Sequence, residues 1–263
     1  MKISHECPLS LLENSLQFND YQYLLPTLWY KYPEYKQFML NYRQQPDSFI
    51  IADNGIFEGE VRSVQEQLDL INEIEPDIYI VPDEWNDSII TAKNAKYWKQ
   101  FTLPERTKLM VVLQGKTVNE LHLLYHNCID LGYTHFALNH SSVVYQELGG
   151  SENKLANQSV GRVMLIEYFK AQNLLKDHHV VHLLGCSTPQ EFTYYRDNYP
   201  NLINSVDTSN PIITGILGQR YTEIGLLTKP ENKIEEFMEK DLAPQLEDII
   251  FNINKFKQFC NGK

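Results

Sequence analysis

What this chain of 263 residues lacks narrows its identity first. Its four cysteines, Cys7, Cys128, Cys186 and Cys260, form no CxxC or CxC pair. That argues against a disulfide framework and a cysteine-built zinc site, and leaves buried, reduced thiols as the expectation. No apolar run approaches the roughly 20 residues that cross a bilayer, and no basic region followed by an apolar core opens the chain. A soluble cytoplasmic protein with no membrane partner is therefore expected. There is no GxSxG elbow, no GxGxxG after a strand and no GxxxxGK[ST]. Gly115-Lys116-Thr117 has the end of a phosphate loop without the glycines that should precede it. Repeats, low-complexity tracts and Gly/Ser/Pro-rich linkers are missing too. With 43% hydrophobic and 22% charged residues, the composition is that of a globular protein able to bury a full core. We read residues 1–263 as a single domain.

A net charge of −11 excludes a broadly basic nucleic-acid coat. The charge is segregated, however. Lys93, Lys96, Lys99, Arg106, Lys108 and Lys116 fall in residues 91–116 with Glu105 as the one acid there. Such a segment can be a solvated helix face or a phosphate-contacting edge, and Lys93, Lys96, Lys99 and Arg106 are its candidate contacts.

Apolar, β-favouring runs alternate with segments of helical spacing. Strands are expected at Tyr23–Leu25, Ser48–Ala52, Asp77–Val81, Lys108–Leu113, Thr134–Leu138, His179–Leu184 and Leu202–Val206, with an eighth near Ile212–Leu217. Between them, Val64, Leu68 and Ile71 recur at helical intervals. Thr117–Leu131 begins on a threonine cap and stops at Gly132. Val163–Leu175 and Pro189–Tyr195 repeat the plan, the latter with Thr188 as cap. The tail from Ile234 to Phe259 reads as two helices interrupted at Pro244. This alternation predicts parallel strands with helices outside, an α/β fold of the TIM-type (β/α)8 barrel class with C-terminal helices. An open doubly wound sheet is the alternative.

In a barrel, chemistry gathers where strands give way to loops at the C-terminal face. Five strands here end in carboxylates or amides: Asp53-Asn54, Asp83-Glu84, Gln114-Gly115, Asn139-His140 and Asp207-Thr208. A lone aspartate after a strand usually caps a turn. Three converging on one rim would repel one another and raise at least one pKa, an arrangement tolerated mainly at functional sites. Magnesium could relieve that repulsion, but the histidines form no ligand motif. His178, His179 and His182 read as ordinary core or surface residues. Neither metal nor cofactor is expected.

The ordered set Asp53-Asn54-Gly55-Ile56-Phe57-Glu58, Val81-Pro82-Asp83-Glu84, Val112-Leu113-Gln114-Gly115, Leu184-Gly185-Cys186-Ser187-Thr188-Pro189 and Ser205-Val206-Asp207 resembles the tRNA-guanine transglycosylase superfamily and its relatives acting on DNA with deazaguanine bases. The likeness runs over about residues 48–210. It implies a barrel enzyme of N-glycosidic bonds, with Asp207 as the nucleophile that attacks the sugar C1′ and Asp53 as the acid/base group beside the departing base. Asp83 and Gln114 would then read the base edge, with Gly115, Phe136 and Asn139 lining the substrate position. Two carboxylates suit this chemistry, since one can attack an oxocarbenium-like sugar while the other moves a proton. The target base must be flipped out or already single-stranded, and Trp85, Tyr97 and Trp98 are candidate stacking rings or outer-layer packing residues.

The sequence also departs from the family. The paired glycines of the fifth strand are Phe136-Ala137 here, and the C-terminal cysteine–histidine zinc site is reduced to Cys260. The basic segment after the nucleophile is replaced by Thr208-Ser209-Asn210-Pro211-Ile212. These departures point away from tRNA and toward DNA as partner, and favour a glycosylase that excises a modified base, as in restriction of foreign or phage DNA. Base exchange inserting a 7-deazaguanine, and a non-catalytic nucleic-acid-binding subunit of the same fold, are the alternatives.

Overall fold

The computed structural model describes residues 1–56, 59, 62–150, 152–226 and 228–262. Phe57 and Glu58 of the first motif lie outside them. In chain order the elements are β1 (Lys2–Ser4), α1 (Leu12–Phe18), β2 (Gln22–Leu24), α2 (Pro26–Lys31), α3 (Pro33–Arg43), β3 (Ile50–Ala52), α4 (Val64–Ile74), β4 (Ile78–Ile80), α5 (Ser88–Trp98), β5 (Lys108–Val112) and α6 (Val118–Asp130). There follow β6 (His135–Leu138), α7 (Val143–Gly149), α8 (Lys154–Ala171), β7 (Val180–Leu184), α9 (Glu191–Asn198), β8 (Ser205–Asp207), α10 (Asn210–Ile216) and α11 (Leu246–Asn261). The sheet order is β1-β8-β7-β6-β5-β4-β3-β2, with parallel pairing in each described register. This strand order, with helices interleaved, is that of a (β/α)8 barrel. Among the described residues no helix is long and apolar enough to cross a membrane.

The residues fall into two compact units. The first, residues 21–137, holds β2 to β6. Its strands are buried along nearly their whole length, as parallel strands covered on both faces must be. Three of its helices start where side chains can take up orphan N–H groups. Ser63 and Glu66 form a reciprocal capping box at α4, Asp87 accepts from the N–H groups of Ile89 and Ile90 at α5, and Thr117 accepts from Glu120 at α6. At the N-terminal end of β4, Asp77 accepts from Arg43 at 2.6 Å, from Arg106 at 2.8 Å and from the Ile50 N–H at 2.8 Å.

The second unit, residues 1–20 with 138–263, holds β1, β8 and β7. Ser4 is in register with Asp207, and His182 with Ser205. Beneath Leu138, Asn139 and the end of β7 lies Arg162 of α8, with no solvent exposure. Its guanidinium grips Glu191 with two hydrogen bonds, at 2.7 and 3.1 Å. It also donates to the carbonyls of Leu138, Asn139, Leu184 and Gly185 at 3.2–3.4 Å. Glu191 is held in turn by the Tyr195 hydroxyl at 2.6 Å.

The seven strands expected from sequence are present with ends trimmed or shifted, but the eighth was misplaced. Ile212–Leu217 is not a strand: residues 210–216 form α10, with Pro211 in its first turn and the Thr214 hydroxyl bonded to the Asn210 carbonyl. Every residue from Asn210 to Gly215 is buried, and an apolar run buried on all sides has no period to separate strand from helix. The eighth strand is β1, whose three residues are too few to show alternation. The tail is one long helix, not two, because Ile234–Phe237 and Ala243–Gln245 are single 3₁₀ turns. Thr188 does not cap α9; its hydroxyl meets that of Ser159 at 2.7 Å.

Candidate active site

Within residues 21–137 the polar ends of β3, β4 and β5 form a closed amide–carboxylate network. Asp83 is buried, and each of its oxygens accepts from an amide: Oδ1 from Asn54 at 2.8 Å and Oδ2 from Gln114 at 2.6 Å. Asn54 also donates to the Val81 carbonyl at 3.1 Å, and Gln114 Oε1 accepts from the Asn86 N–H at 3.1 Å. Burial pushes the Asp83 carboxyl up, while the bonds from Gln114 and Asn54 draw it back down. Asp53 prolongs the ladder by donating its N–H to the Leu24 carbonyl at 2.9 Å. Its carboxylate is buried, and it adds to desolvation in raising the Tyr79 phenol well above its usual range. At Gly115 a Cβ would stand 3.0 Å from Cβ of Glu120 and 3.2 Å from the Leu121 side chain. Glycine there lets the loop after β5 lie against the first turn of α6.

Asp207 occupies the end of β8 in the other unit. Its Oδ1 lies 2.9 Å from His182 Nε2, and His182 Nδ1 lies 2.8 Å from the Ser205 hydroxyl. A carboxylate only accepts, so Nε2 carries the proton that faces it. In the neutral ring Nδ1 then accepts from Ser205. His182 is fully buried and Asp207 nearly so. From sequence His182 reads as an ordinary core or surface histidine. The signal was its register: His182, Ser205 and Asp207 lie on adjoining strands, and Ser205 and Asp207, two apart, share one face.

His5, just after β1, is a second buried histidine beside Asp207. Its Nδ1 donates to the Thr208 carbonyl at 3.0 Å, while its Nε2 finds no hydrogen-bond partner among the described residues. Burial lowers its pKa from 6.5 to about 4. The Lys257 charge lowers it further, and the Thr208 carbonyl and Asp207 oppose the shift. The unfolded chain therefore binds a proton between these values that the folded chain refuses, so stability falls as pH drops from 6.5 toward 4. At about 1.4 kcal/mol per unit, this site costs on the order of 3 kcal/mol over that window. His140, whose imidazole burial holds well below its ordinary value, acts in the same direction. His5→Gln keeps a donor for Thr208 and should flatten, without abolishing, the acid loss of stability in urea unfolding at pH 7 and 4.5. An unchanged slope would refute the role given to His5.

The remaining sequence-derived candidates are placed as follows. Phe136 has no exposed surface and packs on Tyr125 of α6, with ring centroids 5.0 Å apart. Asn139 is buried after β6, and its carbonyl accepts from Arg162. Lys93 and Lys96 stand exposed on α5. Arg106 is engaged with Asp77, and Lys99 donates to the Gly132 carbonyl and covers the Tyr133 ring. Both lie toward the N-terminal ends of the strands, the opposite end of this unit from Asp83 and Gln114. Trp85, immediately after the Asp83 motif in sequence, is 45% exposed, and Ile89 and Ile90 of α5 are exposed as well.

All four cysteines are free and buried, and burial pushes the Cys186 thiol up to about 12, which removes it as a thiolate nucleophile. Among the described residues, no group of three or more His, Cys, Asp and Glu side chains is arranged to hold a metal ion. No protein-family model matches this chain, and no curated protein matches it.

Proposed function

We propose that this chain cleaves the bond between a nucleobase and its sugar in DNA, with Asp207 as the nucleophile, and that it excises a modified base. One observation carries the reading: Asp207, at the C-terminal end of a barrel strand, is buried with one carboxylate oxygen held by His182 at 2.9 Å. A carboxylate fixed at one oxygen presents the other in a defined direction, as in-line attack requires. The attacking oxygen forms a bond to C1′ as the C1′–N bond breaks, and the electron pair of that bond leaves with the base. Asp53 is assigned the proton that neutralises the departing base. Water then attacks C1′ and gives its proton to Asp53, which breaks the bond to Asp207, frees that carboxylate and leaves an abasic sugar.

Recognition is assigned to Asp83 and Gln114, whose acceptors and donors are the groups a base edge requires. Their mutual bonds, at 2.6 Å between Gln114 Nε2 and Asp83, keep both groups satisfied until a base replaces them. Lys93 and Lys96 supply the phosphate contacts, and Trp85 offers a ring for stacking. The motif resemblance to transglycosylases supports the same assignment of Asp207, Asp53, Asp83 and Gln114.

The test is incubation with unmodified and deazaguanine- or otherwise base-modified DNA, scored for abasic sites and for uptake of radiolabelled base. Abasic sites are the expected product. Label uptake without abasic sites would convert the assignment to base exchange. Binding with neither product would make the chain a nucleic-acid-binding subunit.

A further inference from the structure

Helix α6 carries two histidines four residues apart, His122 and His126, on a face turned from the core. The opposite face is anchored by buried Leu121, Leu124, Tyr125 and Cys128, and the first turn is fixed by the Thr117 cap. The helix is therefore a rigid mount, and residues at i and i+4 on such a mount are neighbours. The two rings face each other with centroids 4.7 Å apart, and their Nε2 atoms are 3.0 Å apart.

We propose that His122 and His126 form a bidentate site for a divalent late first-row metal ion, independent of the nucleobase reaction proposed above. Two nitrogens at that separation share one proton, one ring donating and the other accepting. Removal of that proton turns both lone pairs toward a common point. Metal–imidazole bonds of about 2.0–2.1 Å at angles between square and tetrahedral need a nitrogen–nitrogen span of about 2.9–3.4 Å. The observed 3.0 Å meets that span with no change of backbone and little change of rotamer. Imidazole donors select Cu²⁺, Ni²⁺ and Zn²⁺ over Mg²⁺ and Ca²⁺, and the affinity order should place Cu²⁺ first. The intervening residues are Leu123, Leu124 and Tyr125. The pair thus lacks the glutamate that turns an i, i+4 histidine pair into a hydrolytic zinc site. Water completes the coordination, and the site binds an ion without activating it for hydrolysis.

The experiment titrates the full chain with CuCl₂, NiCl₂ and ZnCl₂ alone, by calorimetry and by copper paramagnetic resonance. Parallel samples carry His122→Gln, His126→Gln, both together, and His178→Gln as a control elsewhere on the surface. The parent should take up one copper equivalent with a two-nitrogen signature. Either single variant should weaken that site roughly tenfold or more, since a chelate's second bond forms at high effective concentration. His178→Gln should leave it unchanged. His126 is exposed, so His126→Gln tests the site even if His122→Gln perturbs the helix. Equal copper affinity in the parent and the double variant, or a signature of one nitrogen in the parent, would overturn the proposal.

Discussion

Arg162→Met is expected to cost about 3–5 kcal/mol of folding stability, the range for stripping one partner from a buried ion pair. Glu191 would remain, with no exposed side-chain surface, facing an apolar side chain in place of a two-pronged donor. Four main-chain carbonyls would also lose their common donor, and each buried acceptor left unpaired adds its own penalty. Against a typical total of about 5–15 kcal/mol, the loss would bring unfolding close to working temperature. Arg162→Lys should rescue little, because one ammonium cannot reproduce a planar fork reaching Glu191 and carbonyls on two strand ends at once. Pairing Arg162→Met with Glu191→Leu should recover much of the loss, since no charge is then stranded. Urea midpoints of the four proteins measure this directly. A cost below about 1 kcal/mol for Arg162→Met would show that the cluster is not under the load its geometry implies.

The second large effect concerns Asp207. Asp207→Asn should lower base release by about 10⁴-fold or more, the scale on which removing a covalent nucleophile acts. The amide oxygen can still accept from His182 Nε2, so the fold should persist. Asp207→Ala is a poorer probe because it leaves that buried donor unpaired, at about 1–3 kcal/mol. His182→Gln should lower turnover by a smaller factor, since it retains a donor on the wrong stem. Asp53→Asn removes the group that protonates the departing base and should slow base release in a single turnover, with less covalent adduct formed at early times by intact mass. Full activity in Asp207→Asn would dismiss the carboxylate as nucleophile, whatever the fate of the other variants.

The parts of this protein that sequence made legible share a physical cause. Strands β3, β4 and β5 close on apolar residues and give way to a polar loop, because a parallel strand is buried on both faces until it reaches a loop. That stop marks Asp53, Asp83 and Gln114 without any knowledge of their partners. What stayed hidden depends on register or on burial from every side. His182 gains meaning only through its pairing opposite Ser205. Arg162 sits in a helix whose buried face includes Gln158, Ser159, Gly161 and Arg162, a polar set that hydrophobic periodicity does not mark as internal. The lysine-rich stretch was visible as composition, but Arg106 reaches back to Asp77, a contact 29 residues distant that composition cannot show.

The pairing of β1 with β8 joins Lys2 to Ser205 and Ser4 to Asp207, and the Met1 ammonium meets the Asn261 side chain at 3.1 Å. During synthesis β1 must therefore wait for some two hundred further residues to leave the ribosome before its partner exists. At about 5–20 residues per second that delay lasts on the order of 10–40 s, with Ile3 uncovered throughout. Residues 21–137 are contiguous and have no such wait. The order of emergence favours their settling first, while β1 stays in the care of whatever shields nascent apolar chains.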